Sequence, residues 1–277
     1  MNIYIQVVIY NKKMVNSATL LSLQEQKNIA IDNATIILNI HDNSKISCFD
    51  AEVISCLKRC YEVTYVHTPE NTTLRDIYNA RIKELQHDDV LLLLDDDTDL
   101  PLNYIQVLQA NIVEYKNVSL FSPKVMVNGK LYSPYKSYSF ISRPLNCIKP
   151  GVVEPSNHAF INSGLAICGR FFIESGFRYP EKVDFYGTDT IFSHFFRKRE
   201  SAYVLMDITI EHDVNNHPGN NNAENYANAL SKVMRFWLSQ LTGLKKIVYL
   251  LYMFLYVLKM TIKFRSFIFI KMYMGLK

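Results

Sequence analysis

Short apolar runs alternate with helical patterns along the first hundred residues of the chain. The runs are rich in β-branched, aromatic or leucine side chains, which are typical of strands, and they lie at 3–10, 35–40, 62–66 and 90–94. Capping residues and apolar positions at helical spacing predict helices at about 17–26, 50–60 and 71–85. This alternation predicts an α/β fold with a mostly parallel sheet and flanking helices.

The pattern is less regular beyond residue 101. The predicted elements there are helical at 103–115, 171–175 and within 184–199, and extended at 118–123, 159–168 and 202–211. Between 128 and 158, four prolines and little periodicity predict an irregular excursion with hairpins, of the kind that often holds binding loops. Asn162-Ser163-Gly164 interrupts the strand predicted at 159–168.

The C-terminal segment combines apolar residues with positive charge. Residues 247–258 form an apolar run of twelve between Lys245/Lys246 and Lys259, whereas a spanning helix needs about twenty. Residues 225–277 carry nine Lys or Arg and no acidic residue, so the net charge of +4 leaves −5 for residues 1–224. The pattern predicts a helix that lies in the headgroup region of an anionic membrane; the alternative is a core or dimer-interface helix. A basic tail on an acidic body argues against a nucleic-acid partner.

The cysteines and the N-terminus bear on the compartment. The five cysteines are scattered without a CxxC pair or a completed zinc pattern, so we expect reduced thiols in a cytosolic protein. The first ten residues have no basic leader and are interpreted as the first strand rather than as a signal peptide.

The strand at 90–94 ends in three consecutive carboxylates, Asp95-Asp96-Asp97, and the chain then turns at Pro101. Adjacent carboxylates repel each other unless a positive charge lies among them. A hard divalent cation is the natural partner, and it commonly accompanies a phosphate. Ligands of open α/β sheets bind just beyond the carboxyl ends of the strands, so the stretch predicts a metal site. The alternative is an acidic turn that caps the following helix.

Several motifs follow one another in the order of a known family. They are Val7–Asn11 (opening strand and turn), Leu20–Gln26 (the "SL..Q" helix), Asp42-Asn43-Ser44 (the "DNgS" turn), Asn71 with Asn79 (the "N.G...A.N" helix), Asp95-Asp96-Asp97 (the DXD metal motif), Asn162-Ser163-Gly164, Gly187-Thr188-Asp189 and His212. Over residues 3–213 the chain resembles the family 2 glycosyltransferases of the GT-A fold. These are inverting enzymes that use nucleotide sugars, and the resemblance is to the bacterial surface-glycan, rhamnosyltransferase-like type.

The resemblance, together with the apolar and basic pattern of the C-terminal segment, predicts a domain organisation and a set of site residues. A GT-A domain would occupy 1–222, with a nucleotide-binding half at 1–100 and an acceptor half at 101–222, before a helical membrane-associating tail at 223–277. The donor would be a nucleoside-diphosphate sugar, bound by Tyr10, Asn11, Asp42, Asn79, Asp95, Asp96 and Gly164. The cation would be Mn or Mg, held by Asp97, Asp95 and His212. The residues alone leave alternatives open. Asp42 could equally belong to a plain turn, Gly164 could form a strand bulge, and His212 could be a structural histidine. His217 is a rival metal ligand to His212.

An attacking acceptor hydroxyl must lose its proton, so a carboxylate general base is expected. The resemblance favours Asp189 at the start of a helix; Asp184 is the rival base, and could instead bind the acceptor or cap the turn. We expect the helix dipole to lower the pKa of Asp189 and keep it ionised. The alternative is that Asp189 only caps the helix. The motif glycine is missing at Asn71-Thr72-Thr73, so the pocket is expected to differ there.

Together these features predict an inverting, metal-assisted glycosyltransferase that acts on a glycan or lipid-linked acceptor. We expect the protein to be peripheral on the cytoplasmic face of the cell membrane. A homo-oligomer is possible, and the sequence does not decide the oligomeric state. One alternative is a non-catalytic, membrane-bound nucleotide- or glycan-binding module on the same fold. The other is a metal-dependent nucleotidyltransferase, which the lack of a GxxxxGK phosphate loop disfavours.

Overall fold

The structure, a computed structural model, describes residues 1–27, 35–211 and 223–276. Its strands are β1 (Asn2–Ile9), β2 (Thr35–Asp42), β3 (Glu62–His67), β4 (Val90–Asp95), β5 (Leu120–Val127), β6 (Lys130–Ser133), β7 (Tyr135–Tyr138), β8 (Ile141–Arg143), β9 (Gly151–Val153), β10 (His158–Ala159), β11 (Leu165–Cys168) and β12 (Tyr203–Glu211). Its helices are α1 (Ala18–Gln24), α2 (Ala51–Leu57), α3 (Leu74–Glu84), α4 (Tyr104–Glu114), α5 (Gly169–Ser175), α6 (Thr188–Arg199), α7 (Ala223–Gln240), α8 (Gly243–Phe264) and α9 (Ile268–Met274). The predicted ligand His212, its rival His217 and the Asn-rich stretch 215–222 lie outside the described residues.

The most apolar predicted strands lie at the centre of the sheet. Within the described residues, the main sheet has nine strands in the order β3-β2-β1-β4-β11-β5-β12-β9, with β6 beside β5. β1 pairs in parallel with both β2 and β4, and Ile5 and Leu92, which face each other, are fully buried. Such continuous apolar strands suit a sheet that is covered on both faces. The predicted α/β fold with a mostly parallel sheet is confirmed.

One strand of the central sheet runs against its neighbours. β11 is antiparallel to both β4 and β5, whereas β5 and β12 are parallel to each other. The region predicted to be irregular forms hairpin strands, of which β7, β8 and β10 make a separate three-stranded sheet. β5 extends four residues beyond its predicted end because its last residues pair with β6.

Two predicted helices begin later than the sequence pattern indicated. α3 begins at Leu74 rather than near Asn71, because Asn71 has a positive φ of 58° and the Thr73 side chain caps the helix by accepting from the Asp76 N–H. α6 begins at Thr188 rather than near Asp184, and Gly187, with φ 84°, precedes it. A left-handed residue cannot continue a right-handed helix, so both starts are fixed locally.

The described residues form two compact units. One comprises the described residues up to 180 together with 188–211, and the other comprises 181–187 with 223–276. In the first unit, one apolar cluster covers each face of the sheet, with Leu92 in one and Leu93 in the other. In the second unit, α7, α8 and α9 enclose a smaller cluster around Val257 and Phe269. The predicted apolar C-terminal helix is present, although it is continuous over 22 residues.

Candidate active site

The ends of β1 and β2 are tied together where the sequence predicted donor contacts. The backbone N–H of Asn43 donates to the Ile9 carbonyl at 2.8 Å, and the backbone N–H of Asn11 donates to Ser44 Oγ at 2.8 Å. Asn11 has φ 52°, a left-handed conformation that asparagine tolerates better than most residues. The neighbouring Tyr10 side chain is 55% exposed. Tyr10 and Asn11 therefore lie beside the Asp42 turn, at the carboxyl edge of the sheet.

Asp42 is buried inside this turn. Its carboxylate accepts from the backbone N–H groups of Ser44 at 2.9 Å and Cys48 at 2.6 Å, and from the Tyr65 hydroxyl at 2.6 Å. Burial alone would raise the pKa of Asp42, but these hydrogen bonds and one from the Ser44 hydroxyl outweigh it and hold the pKa below its usual value. Asp42 is thus an ionised residue that shapes the turn, and its contact with a donor stays a prediction.

The backbone of the acidic stretch is held by the start of α1. The Ser17 hydroxyl donates to the Asp96 carbonyl at 2.8 Å, and the Thr19 hydroxyl donates to the Asp95 carbonyl. Thr19 Oγ1 also accepts from the Thr98 N–H at 2.9 Å. Ser17, the N-cap of α1, and Thr19, in its first turn, are both buried, so the loop after β4 has a fixed backbone from which its carboxylates project.

The carboxylates of this stretch have different partners. Asp95 Oδ2 accepts from the Ser163 hydroxyl at 2.7 Å, and Asp96 Oδ1 forms an ion pair with Lys12 Nζ at 2.7 Å. Burial raises the pKa of Asp96, an effect that Lys12 reduces and the neighbouring charge of Asp97 increases. Lys12 was missed in the sequence, where Asn11-Lys12-Lys13 indicated only a turn; a lysine two residues beyond a strand end was the available signal.

The carboxylates of the acidic stretch are the candidate metal ligands within the described residues. No group of three or more His, Cys, Asp and Glu among them converges as a metal site would. Asp95 and Asp97 nevertheless offer carboxylate oxygens at the end of β4, and oxygen is the ligand type that Mg and Mn prefer. Lys12 forms its ion pair with Asp96. The described donor set therefore fits two protein ligands of a hard cation.

Gly164 has a packing role. Its φ is 82°, its N–H donates to the Leu93 carbonyl at 3.0 Å, and its carbonyl accepts from the Tyr104 hydroxyl at 2.5 Å. A Cβ at this position would lie 2.6 Å from Ile210 Cδ1. The protein itself fills the space beside Gly164, so the residue allows the tight turn that carries Ser163 to Asp95. Its predicted donor contact stays a prediction.

Asn162 links this turn to α6. Its Nδ2 donates to the Thr188 hydroxyl at 3.1 Å, and its side chain also contacts the buried hydroxyl of Tyr78. The Asn162 side chain is buried, and its Oδ1 has no hydrogen-bond partner among the described residues. The Asn-Ser-Gly tripeptide marked this turn in the sequence, but the link to Thr188 joins residues 26 apart and was not foreseen.

Asp189 lies in the first turn of α6, within reach of the charge on Asp95. The pKa of Asp189 is raised to about 6, mainly by burial and also by the Asp95 charge, while hydrogen bonds from Thr190 oppose the rise. The expectation that the helix dipole would lower this pKa is therefore wrong, because desolvation of the carboxylate is the larger effect. Asp189 is the second residue of α6 rather than the residue before it, and its Oδ1 accepts from the Thr190 N–H at 2.6 Å. Its role as the base stays a prediction.

The negative charge of Asp189 affects four tyrosines, and none of them was predicted from the sequence. The pKa of each is raised by burial and, to a smaller extent, by the negative charge of Asp189; they are Tyr78, Tyr132, Tyr135 and Tyr179. They come from α3, from the hairpin strands and from the segment after α5. A carboxylate with a pKa near neutrality among aromatic hydroxyls is the arrangement expected of a general base.

Two further predicted residues have clear positions. Asn79 Nδ2 donates to the Tyr179 carbonyl at 2.8 Å and Asn79 Oδ1 accepts from the Tyr179 N–H at 2.9 Å, so both ends of its amide hold the backbone after α5. Asp184 is exposed and lies in the segment 181–187 that groups with the tail helices. The structure thus joins Asp95, Ser163, Asn162, Thr188 and Asp189 in the first unit, whereas Asp184 belongs to the second unit.

Comparison with known proteins identifies the fold. The crystal structure of S. aureus TarS 1-349 is similar, with a TM-score of 0.55 and 14% identity over 86% of this chain and 66% of that chain. The crystal structure of GalNAc-T7 with UDP, GalNAc and Mn2+ is similar, with a TM-score of 0.58 and 14% identity over 84% of this chain and 48% of that one. S. aureus TarS 1-349 in complex with UDP-GlcNAc gives a TM-score of 0.55 at 12% identity over 86% of this chain and 67% of that one. No protein-family profile and no curated protein matches the chain.

These solved neighbours are glycosyltransferases of the GT-A type, and the chain has the GT-A fold that the sequence predicted. The chain spans about half to two thirds of the length of the neighbours. At 12–14% identity the likeness defines the fold. The nucleotides, sugars and metal in those crystals belong to those proteins.

Proposed function

We propose that this chain is a nucleotide-sugar glycosyltransferase that transfers a sugar to an acceptor hydroxyl with inversion. The observation that carries the proposal is the hydrogen-bonded connection from Asp95 at the end of β4, through Ser163 and Asn162, to the α6 start that bears Asp189. It lies on a fold whose solved examples include complexes with UDP and UDP-GlcNAc. Carboxylates at both ends of one network suit a reaction with a leaving group on one side and a base on the other.

Asp189 is the proposed general base. Above a pKa of about 6 its carboxylate is ionised and accepts the proton of the acceptor hydroxyl. The hydroxyl oxygen forms the new bond to the anomeric carbon as the bond from that carbon to the diphosphate oxygen breaks, and the diphosphate leaves with the electron pair. Attack from the face opposite the leaving group inverts the anomeric configuration. Asp184 is the rival base, and a direct comparison of the two variants separates them.

The donor would lie at the carboxyl edge of β1, β2 and β4. Tyr10 supplies an exposed ring, and Lys12 supplies a positive charge beside the acidic stretch. Asp95 and Asp97 are the described residues that would hold a Mn or Mg ion, with His212 as the proposed third ligand. When bound, such an ion stabilises the negative charge that develops on the departing diphosphate.

The proposed setting is the cytosol, at the membrane face. All five cysteines are free in the structure, as expected of a protein in a reducing compartment. The proposed acceptor is a glycan or a lipid-linked glycan, and a rhamnosyl-type donor is included among the candidates because of the family resemblance.

Thermal shift with UDP, GDP, dTDP and CMP, each with Mn, Mg or EDTA, tests the donor site. A ligand at about 100 times its Kd stabilises a protein by about 2.7 kcal/mol, which is roughly 5–10 °C for a chain of this size. We expect one diphosphate to give such a shift only with metal, and Asp97→Ala to abolish it. The control is Asp99→Ala, an exposed carboxylate of the same loop. No shift with any nucleotide would reject the donor site and favour a non-catalytic module.

Donor hydrolysis by matched variants tests the base. Release of the diphosphate from the nucleotide sugar that stabilises the protein is measured for wild type, Asp189→Asn and Asp184→Asn. General-base catalysis contributes about 10²–10⁴-fold, so Asp189→Asn should lose activity on that scale while it keeps the nucleotide-dependent thermal shift. A loss confined to Asp184→Asn would transfer the role of base to Asp184.

A further inference from the structure

α8 has an exposed apolar face. It consists of Leu244, Ile247, Val248, Leu251, Leu255 and Ile262, whose side chains are 48–77% exposed. These positions recur at intervals of three, four and seven, so they lie on one side of a helix with 3.6 residues per turn. Aliphatic side chains this exposed in one row form a contiguous apolar patch, which commonly marks an interaction site.

This face is distinct from the one that holds the second unit together. Tyr249, Met253, Val257 and Met260 form a buried row on the other side of α8. Val257 and Met260 belong to the cluster with α7 and α9, and the Tyr273 hydroxyl donates to the Leu250 carbonyl at 2.9 Å. Among the described residues, the packing of α9 against α8 leaves the apolar face exposed.

Positive charge borders the apolar face. Lys245 and Lys263 are eighteen positions apart, which is about five full turns, so they lie on the same side of α8; Lys259 lies within about 40° of them. This row falls between the exposed and buried faces. No acidic residue occurs from 225 to 277. A protein partner of mixed charge would not account for a surface of one sign, whereas anionic lipid headgroups are its electrostatic complement.

We propose that α8 lies in the plane of an anionic membrane surface, with its apolar face in the acyl boundary and Lys245, Lys259 and Lys263 among the headgroups. Such a helix buries its apolar side by about 5–10 Å, while lysine stems extend to the phosphates. The inference does not depend on the proposed transferase activity. Its failure and that of the activity are separate results, because the tests below measure lipid binding alone.

Helix length argues for the in-plane orientation. Among the described residues, α8 is the one helix long and apolar enough to cross a membrane by length and composition. Its uncharged stretch, however, is the twelve residues 247–258, which span about 18 Å against a hydrocarbon core of about 30 Å. A spanning α8 would place Lys259 in the hydrocarbon core, and the in-plane helix places it in the headgroups.

The proposal is tested by flotation of the full-length protein with two kinds of vesicle. One kind is phosphatidylcholine alone, and the other is phosphatidylcholine with 30% phosphatidylglycerol. We expect wild type to float only with the anionic vesicles and to be released at high salt. Leu251→Glu should abolish flotation, and Lys245→Gln with Lys263→Gln should weaken it by roughly 25-fold, about fivefold for each lysine. The matched controls are Val113→Glu, an exposed apolar residue of α4, and Lys58→Gln, an exposed lysine next to α2.

Three results with lipid would overturn the proposal, and a fourth would do so without lipid. Those with lipid are the absence of flotation by wild type, equal binding to neutral and anionic vesicles, and resistance to extraction by high salt and alkaline carbonate, which would indicate a spanning helix. A wild-type dimer in light scattering without lipid, made monomeric by Leu251→Glu, would assign the face to a second copy instead. Circular dichroism of each variant establishes that α8 is still folded, and Leu251→Ser provides a milder substitution if Leu251→Glu does not fold.

Discussion

The acid limb of the pH–activity profile is a direct consequence of the environment of Asp189. Burial raises the pKa of this carboxyl to about 6, so its ionised fraction falls from about nine-tenths at pH 7 to about one-tenth at pH 5. If ionised Asp189 accepts the acceptor proton, kcat/KM should fall about tenfold between those two pH values. An aspartate with an ordinary pKa would give no such fall above pH 5.

Thr190 offers a way to move this limb without touching the base. Its backbone N–H and its hydroxyl donate to Asp189 Oδ1 at 2.6 Å and 3.3 Å, and both bonds lower the pKa of Asp189. Thr190→Val keeps the N–H and the shape but removes the hydroxyl. The pKa of Asp189 then rises, so the limb should move to higher pH by about half a unit, which is about 0.7 kcal/mol and the size of a modest hydrogen bond.

The assay is the initial rate of nucleoside-diphosphate release between pH 4.5 and 8.5, with the fold checked by circular dichroism at each pH. Thr190→Ser retains the hydroxyl and should keep the wild-type limb. A limb that stays in place in Thr190→Val, or that moves to lower pH, would refute the assignment of the limb to Asp189. A limb that shifts equally in both variants would indicate a packing effect instead.

Three other predictions concern stability. The pKa of Asp189 is higher in the folded than in the unfolded chain, so its ionisation destabilises the fold as the pH rises from about 4 to about 6, and the loss persists above pH 6. Asp189→Asn should therefore raise the free energy of unfolding at pH 8 by on the order of 1–3 kcal/mol, measured with denaturant. The same variant should give no gain at pH 3.5. Lys12→Met removes the cation that lowers the pKa of Asp96, so it should cost about 1 kcal/mol at pH 7.5 and less at pH 5, and the double variant with Asp96→Asn should recover most of that loss. Gly164→Ala places a Cβ 2.6 Å from Ile210 Cδ1 on a backbone with φ 82°, so it should lower the free energy of unfolding by roughly 2–4 kcal/mol. The control is Gly129→Ala, where φ is 71° and no atom lies within 4 Å of the new Cβ. It should cost only the backbone strain of about 1 kcal/mol. Equal losses in the two glycine variants would contradict the packing role of Gly164.

Features that depend only on the local sequence were predicted well. Continuous apolar runs placed β1 and β4 within one residue of their observed ends, since a strand buried on both faces leaves few polar positions. The carboxylates after β4 were recognisable because a strand end in an open α/β sheet is where ligands gather. Element ends set by a single backbone conformation, such as Asn71 with φ 58°, were missed, because asparagine adopts that conformation only in some contexts.

Features that depend on distant contacts could not be predicted. The Lys12–Asp96 ion pair joins residues 84 apart, and the bonds from Asn79 to the Tyr179 backbone join residues 100 apart. The direction of the Asp189 pKa depends on how much water surrounds the carboxylate. A helix start suggested a lower pKa, but desolvation by residues far along the chain reversed it.

The antiparallel strand β11 explains why a carboxylate at one strand end and another at a helix start come together. β11 is antiparallel to β4, with Leu165 opposite Leu93. The chain therefore enters β11 at the edge of the sheet where β4 ends, and Ser163, just before β11, donates a hydrogen bond to Asp95. If β11 ran parallel to β4, its first residue would lie near Val90, five steps of about 3.3 Å, or roughly 17 Å, from Asp95. Asn162 would then hold Thr188 and the start of α6 at the opposite edge of the sheet. The reversed strand therefore places the proposed base at the edge where the donor would bind.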